Sequence, residues 1–355
     1  MTGEGPAKPV AVQLRVHDIG YPRNARLREH LRLLGMEVRV SPRAQRGPKP
    51  LRLLADLFAM LRDTRGARVA VLSEFSLPSA PAARVIARLR GIPLIVDGFV
   101  GKHETAIEDW GYASPRSLRA LLLRLVDRAS VRAADLYLID TEARAEALRE
   151  HHGRRTPVIG LPVGAPRWIA PHPPRAADGT LRVLYSGGNI PLHGLPLALE
   201  AVAAADPRVR LDLVLSGPRE VVQARIDALG IGDRCTIHPP VSHRELVERM
   251  EDADVVLGIF GDSPKARGVV ANKVWQGLAA GRPVVTLRTP ATEELLPHAG
   301  GLLTLVDDAA GLTRALDDLR ARGRFPEDAQ VAERLEEFVR ERYRALDDWL
   351  ADRVR

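Results

Sequence analysis

GIFGDSPKARGVVANKVWQGLAAGRPVVT (258–286) is the segment on which the fold turns. It starts inside an apolar run, DVVLGIF (254–260), that reads as a strand, and passes through a loop carrying Lys265 and Arg267. Asn272-Lys273 opens a helix, VWQGLAAG, that stops at Gly281, and Arg282-Pro283 leads directly into a second strand, RPVVTL (282–287). The same alternation extends in both directions, through RVLYSGG (182–188), LDLVLSG (211–217) and CTIHPP (235–240) before it and GLLTLV (301–306) after it. Strands alternating with helices are βαβ units of a parallel sheet, and right-handed crossovers gather the loops that follow the strands on one edge.

The first half repeats the pattern independently. VAVQLRV (10–16), MEVRV (36–40), RVAVLS (68–73), PLIVD (93–97) and LYLID (136–140) read as strands, and PRNARLREHLRLLG (22–35) as a helix closed by glycine. Between the halves, PVIGLPVGAPRWIAPHPPRAADGT (157–180) has the proline and glycine content of a linker. The expected fold is therefore α/β, with two Rossmann-like, doubly wound parallel-sheet domains facing each other across a cleft. Residues 1–165 form the first domain, 166–180 the linker and 181–325 the second. A charged helical tail, 326–355, packs back across the domains.

Composition narrows the function. The chain has 355 residues, 45% hydrophobic, 27% charged and only 4% aromatic. These proportions fit a globular protein with two cores rather than a membrane or disordered one. MTGEGPAKPV at the start lacks the apolar core of a signal peptide, no apolar run is long enough to cross a bilayer, and Cys235 has no partner cysteine. Cys235 reads as a small buried hydrophobe, and the expected location is the cytoplasm. Residues 1–175 carry 29 Lys+Arg against 17 Asp+Glu, whereas the remainder carries 23 against 28. A basic first half suits an anionic lipid surface, a phosphorylated acceptor or nucleic acid. The scarcity of aromatics and of recognition motifs excludes nucleic acid. Two stretches, PKPLRLLADLFAMLRDTRGAR (48–68) and SPRSLRALLLRLVDRASVR (114–132), interleave basic residues with leucines. In a βαβ unit the leucine face is expected to pack on the sheet, leaving a basic outer surface for electrostatic contact with the inner face of a membrane.

Candidate site residues cluster in two loops of the second half. In YSGGNIPLHGLPLALEAV (185–202) a strand runs into Gly187-Gly188, and His193-Gly194 opens a helix. Paired glycines admit a ligand close to the backbone, and a helix N-terminus offers N–H groups to an anion; a plain tight turn reads equally from this loop alone. In the second loop Lys265, Arg267 and the helix start at Asn272-Lys273 form a diphosphate site in outline, with two of the chain's five lysines in it. The alternative is a pair of solvated surface lysines. Asp252-Ala253-Asp254 stands at a strand mouth, where it caps rather than binds Mg²⁺.

On these residues the run Val183–Leu296 resembles the donor domain of retaining GT-B glycosyltransferases of the large family 4, the "group 1" transferases. The carrying residues are Gly187, Gly188, His193 and Gly194, the GIFG…Lys265-Ala266-Arg267…Asn272-Lys273 stretch, and the LAAGRPVVT turn. YPRN (21–24), the DGF stretch from Asp97 and ADLYLIDT (134–141) extend the resemblance to the first half. It implies transfer of a sugar, with retention and without a metal or other cofactor, from a UDP-, GDP- or dTDP-sugar to a hydroxyl acceptor (glycan, lipid-linked or small molecule). The first domain then takes the acceptor and the second the nucleotide sugar.

The implied roles follow residue by residue. Gly187, Gly188, His193, Arg267, Asn272 and Lys273 bind the donor diphosphate, and Lys265 acts catalytically on the leaving-group charge. Gln276 meets the nucleotide ribose. The family has Lys in place of His193, and two Glu where this chain has Gly268 and Gln276, which leaves the contact to the donor sugar unaccounted for. A non-catalytic sugar-nucleotide-binding subunit and a GT-B epimerase are the alternatives this departure raises. In the first half, Asp97 and His103 stand after a strand, placed to accept a proton from the acceptor hydroxyl; loop capping and a surface histidine are the equal alternatives. Arg23 and Asn24 reach toward the phosphates or simply start a helix, and His151-His152 are helix-end charges.

Overall fold

The structure, a computed structural model, describes residues 8–152, 155–176, 178–323 and 328–354. Most of the N-terminal stretch read for a leader, Gly153 after the histidine pair, and part of the expected tail start lie outside the described residues. The chain divides into two compact units, one running through Val163 and taking up again at Arg340–Arg355, the other Gly164–Val339. The helix Val331–Arg353 begins in the second unit and ends in the first.

The first unit is built on β1 (Val10–Val16), β2 (Glu37–Pro42), β3 (Val69–Leu72), β4 (Leu94–Asp97), β5 (Leu136–Ile139) and β6 (Val158–Gly160). All pair in parallel, in the order β2-β1-β3-β4-β5-β6. β1, β3, β4 and β5 are buried along their whole length, as strands covered by helices on both faces must be. β6 was hidden in the sequence, because its three residues lie where the linker was expected to begin. The winding reverses between β1 and β3, and ligands of such sheets bind outside the strand ends at that reversal. Both non-glycine residues with positive φ among those described sit there: Arg15 (φ 56) at the bulge of β1 and Phe75 (φ 60) just past β3. Backbone strain of this kind costs roughly 1–3 kcal/mol per residue and collects at functional sites.

The second unit contains β7 (Leu181–Gly188), β8 (Val209–Ser216), β9 (Cys235–His238), β10 (Val255–Leu257), β11 (Val284–Leu287) and β12 (Leu303–Val306). They pair in parallel in the order β12-β11-β10-β7-β8-β9. This is the dinucleotide-fold order, with its reversal between β7 and β10. The two loops singled out from the sequence follow those two strands. β10 is shorter than the apolar run DVVLGIF: Gly258 and Ile259 still hydrogen-bond to β11, and from Phe260 the backbone turns to meet the loop after β7.

That meeting depends on glycine. Phe260 N donates to His193 O at 3.0 Å and Gly261 N to Leu192 O at 3.2 Å. Gly194 lies at φ +59, and a Cβ on it would stand 2.3 Å from the Phe260 carbonyl carbon. Gly194→Ala therefore combines left-handed strain with a backbone clash. It should destabilise the second unit by more than about 2 kcal/mol, against about 1 kcal/mol for Gly230→Ala (φ +67, with no atom in the way). Urea unfolding followed by tryptophan fluorescence measures both, and equal losses would show that the loops can move apart.

Candidate active site

At the reversal of the second sheet the side chains build around Lys273. This residue starts the helix Asn272–Ala279, whose N-cap is Ala271; no side chain caps it, so that end presents N–H groups to a ligand. Gly277 on the same helix allows close packing on Val256 and Val284 of β10 and β11. The helix start is thereby held over the strand ends. Lys273 is 4% exposed, and its Nζ lies 3.6 Å from the centroid of the Tyr185 ring and makes no hydrogen bond among the described residues. Burial holds its pKa well below the usual lysine value. A cation–π contact is worth roughly 0.5–2 kcal/mol, whereas burying an ammonium without hydrogen-bond partners costs several. The charged form is therefore disfavoured here unless an anion joins it.

Gly187 and His193 complete this corner. A Cβ on Gly187 (φ +144) would fall 2.9 Å from His193 Cε1 and 3.2 Å from Lys273 Nζ, so only glycine leaves the cradle open. His193 Nδ1 donates to Gly188 O at 2.8 Å, and Tyr185 donates its hydroxyl to the same oxygen at 2.9 Å. Burial, with Lys273 adding to it, pushes His193 down to about 3. The imidazole is therefore neutral. It braces the glycine turn through Gly188 O.

The remaining donor-side candidates surround this corner unequally. Lys265 is buried in the short helix Pro264–Gly268, which packs against the turn Pro191–His193, while Arg267 on the same helix is exposed. Asn272 is half-buried, and Gln276 is buried one turn along the helix from Lys273. Asp254 accepts from Arg182 N at 2.8 Å and from Arg175 Nη2 at 3.1 Å, at the opposite strand end from these loops. Its work is structural. Among the described residues no cluster of His, Cys, Asp and Glu is arranged to hold a metal ion.

The first-unit candidates are differently placed. Asp97, at the end of β4, is gripped by Arg23, whose Nε reaches Oδ2 at 2.9 Å and Nη2 reaches Oδ1 at 3.2 Å; both residues are 1% exposed. Arg23 also donates to the carbonyls of Ile139 and Leu161, and so ties together the ends of β4, β5 and the segment after β6. Arg23 is thus turned inward, and both Asp97 oxygens are engaged, Oδ1 also accepting from Phe99 N at 3.2 Å. His103 is likewise engaged: Arg124 Nε donates to its Nε2 at 2.9 Å, which puts the proton on Nδ1, 3.1 Å from Glu108 Oε1.

The group that sequence reading missed is Glu74, fully buried just past β3 beside the strained Phe75. Its Oε1 accepts from Asn24 Nδ2 at 2.8 Å, and its Oε2 has no partner among the described residues. Burial, reinforced by Asp97, raises its carboxyl from 4.5 to about 7. The available signal was position alone, an acid directly after the strand RVAVLS. The folded state holds this proton more tightly than the unfolded chain. The stability it contributes is complete below about pH 4.5 and is lost as pH rises through about 7. Each pH unit of that window is worth at most about 1.4 kcal/mol. Wild type should lose urea resistance between about pH 5 and about pH 8, and Glu74→Gln should flatten the slope. Parallel profiles would mean that Glu74 titrates normally.

Comparison with known proteins agrees with this geometry. The Glycosyl transferase 4-like domain model matches residues 9–164, and the Glycosyl transferases group 1 model matches residues 180–322. Among solved structures, Anabaena Alr3699/HepE in complex with UDP and glucose is similar at TM-score 0.67 and 15% identity, over 98% of this chain and 100% of that one. Sucrose-phosphate synthase from Thermosynechococcus elongatus is similar at TM-score 0.64 and 18% identity (97% and 96%). WaaG, a glycosyltransferase involved in lipopolysaccharide biosynthesis, follows at TM-score 0.65 and 15% identity (93% and 95%). At these identities the likeness speaks for fold. No curated protein matches the chain. With a 4-like domain followed by a group 1 domain on GT-B architecture, the chain belongs to the group 1 glycosyltransferases.

Proposed function

We propose that this glycosyltransferase takes a nucleoside-diphosphate sugar at the reversal of its second sheet and passes the sugar, with retention and without a metal, to a hydroxyl acceptor. The observation that carries the reading is the buried, unpartnered Lys273 ammonium beside Gly187 and an uncapped helix N-terminus. A diphosphate supplies the missing anion, and as the anomeric C–O bond breaks the growing negative charge meets fixed donors already in place. Lys265 and Arg267 extend the cationic wall, Asn272 adds to the helix start, and Gln276 is placed to hydrogen-bond the ribose. Asp97 and His103 enter as positioning residues, because Arg23 holds both Asp97 oxygens and Arg124 occupies His103 Nε2. The HepE structures hold UDP, glucose or UDP-glucose, which makes UDP-sugars the first donors to test.

Lys273→Met separates site from scaffold. Removing an unpaired buried amine should raise the melting temperature of the free protein, while affinity for UDP, GDP or dTDP falls at least about tenfold. Calorimetric titration with each diphosphate, beside a thermal melt, gives both readouts; unchanged affinity would remove the diphosphate from this corner. Lys265→Ala should instead lower kcat by more than about tenfold with little change in nucleotide affinity, since leaving-group charge grows only in the transition state. An equal change in both would assign Lys265 to ground-state binding.

A further inference from the structure

One carboxyl of the first unit has no counter-charge. Glu74, Asp97, Asp140 and Glu104 stand at or just past the ends of β3, β4 and β5, with the guanidinium groups of Arg23 and Arg144 among them. Arg23 is committed to Asp97, and Arg144 to both Asp140 and Glu104. Arg28, one turn along the helix from Asn24, donates to Gln13 Oε1 at 3.2 Å and to the Ile19 carbonyl at 2.7 Å, and Arg15 on β1 is paired with Asp56 at 2.7 Å. Glu74 is left over. A neighbour feels the surplus: burial raises the Tyr21 phenol, and Glu74, Asp97 and Asp140 add to the rise, with Arg23 opposing. This acidic corner lies in the half of the chain whose composition is strongly basic.

A buried neutral carboxyl that serves only the scaffold donates its proton to a nearby oxygen. Glu74 Oε1 already accepts from Asn24 Nδ2, so the proton belongs on Oε2, which has no partner among the described residues. Aromatic rings gather at the same place. Tyr21 and Phe75 meet edge to face at 5.8 Å, both half-buried, and Phe75 is held next to Glu74 by a strained backbone at φ 60. Phe99, 6.0 Å from Tyr21, already has the Arg23 guanidinium over its face at 5.6 Å, while His17, 6.2 Å from Phe75, is exposed. Asn24 Nδ2 also donates to Asp18 O at 3.0 Å in the exposed turn 17–20, so the carboxyl lies one side chain below the surface. Ring faces and a carboxylate both attract an ammonium, and a neutral hydroxyl would leave the surplus negative charge unmatched.

We propose that this corner seats a protonated amino group of the acceptor between the Glu74 carboxylate and the rings of Tyr21 and Phe75, which makes the acceptor an amino sugar. The inference deepens the reading of the first unit as the acceptor side and rests on it. On binding, the ammonium keeps its proton and Glu74 releases its own to water, because an adjacent cation favours the ionised carboxyl. Affinity for an amine should therefore rise with pH through the range in which the carboxyl of the free protein titrates, about 7.

Calorimetric titration with 6-amino-6-deoxyglucose and with glucose compares sugars that differ in one group. The amine should bind at least about tenfold more tightly than glucose at about pH 8, and its affinity should fall about tenfold by about pH 6 while that of glucose stays level. Glu74→Gln, which keeps the shape and loses the charge, should bring the amine down to glucose and remove the pH dependence. The wild-type profile decides the proposal even if that variant does not fold. Equal affinity for the two sugars, or binding of neither, would overturn it. A glucose affinity that weakens from about pH 6 to about pH 8 would assign the carboxyl to a hydroxyl as a neutral donor instead. UDP binding measured beside these titrations reports on the donor site alone: if the amine shows no preference while UDP binds, the amino-sugar reading falls and the transferase reading stands.

Discussion

A charge taken out of water has to be matched, and the two sheets of this protein meet that demand in opposite ways. In the first, the buried Arg23 guanidinium is fully matched by Asp97 and two backbone carbonyls. Those partners come from β4, β5 and the segment after β6, so a single side chain from the first turn of the helix Pro22–Leu33 draws the strand ends together. Removing one member of such a pair strands the other, at a cost of about 3–5 kcal/mol. In the second sheet Lys273 is buried with an aromatic ring for company and no anion. The first arrangement is closed by its partners; the second leaves its nitrogen without one among the described residues.

The Lys273 corner lies where the winding of the second sheet reverses, and glycine decides how near its loops can come. Gly194 and Gly261 let the loops after β7 and β10 hydrogen-bond backbone to backbone, and Gly187 leaves the volume in front of Lys273 empty. His193 is then fixed by Gly188 and Tyr185. In this low-dielectric corner a second positive charge beside Lys273 is unfavourable, so the histidine stays neutral and serves as a brace. Lysine at the same position would bring a second charge beside Lys273, which the neutral histidine avoids.

The outer helices of the first unit show how packing overrides a hydrophobic stripe. An apolar face at helical spacing normally turns to the core, but close approach to the sheet is made here by Ala120 and Val131 on one helix and Met60 on another. Asp56 must also face inward to meet Arg15, which commits the orientation of its helix. Once those faces are turned in, the leucines can only point out.

Much of this protein was legible in its sequence. Alternating apolar runs located most strands to within a residue or two, and the glycine and lysine spacing of 187–194 and 265–273 marked the two loops that follow β7 and β10. Each of these signals is local: a strand's periodicity and a helix start are written in consecutive residues. Tertiary structure decided what sequence distance conceals. Arg23 and Asp97 are 74 residues apart, and nothing in either neighbourhood announces that they pair. Glu74 acquires its raised proton affinity only from the burial and the carboxylate that the fold places around it. The neutrality of His193, the unpartnered Lys273 Nζ and the outward leucines are likewise properties of surroundings. Chain order specifies which groups are present, but which of them lose water, and which then find a partner, is settled only when distant segments close around them.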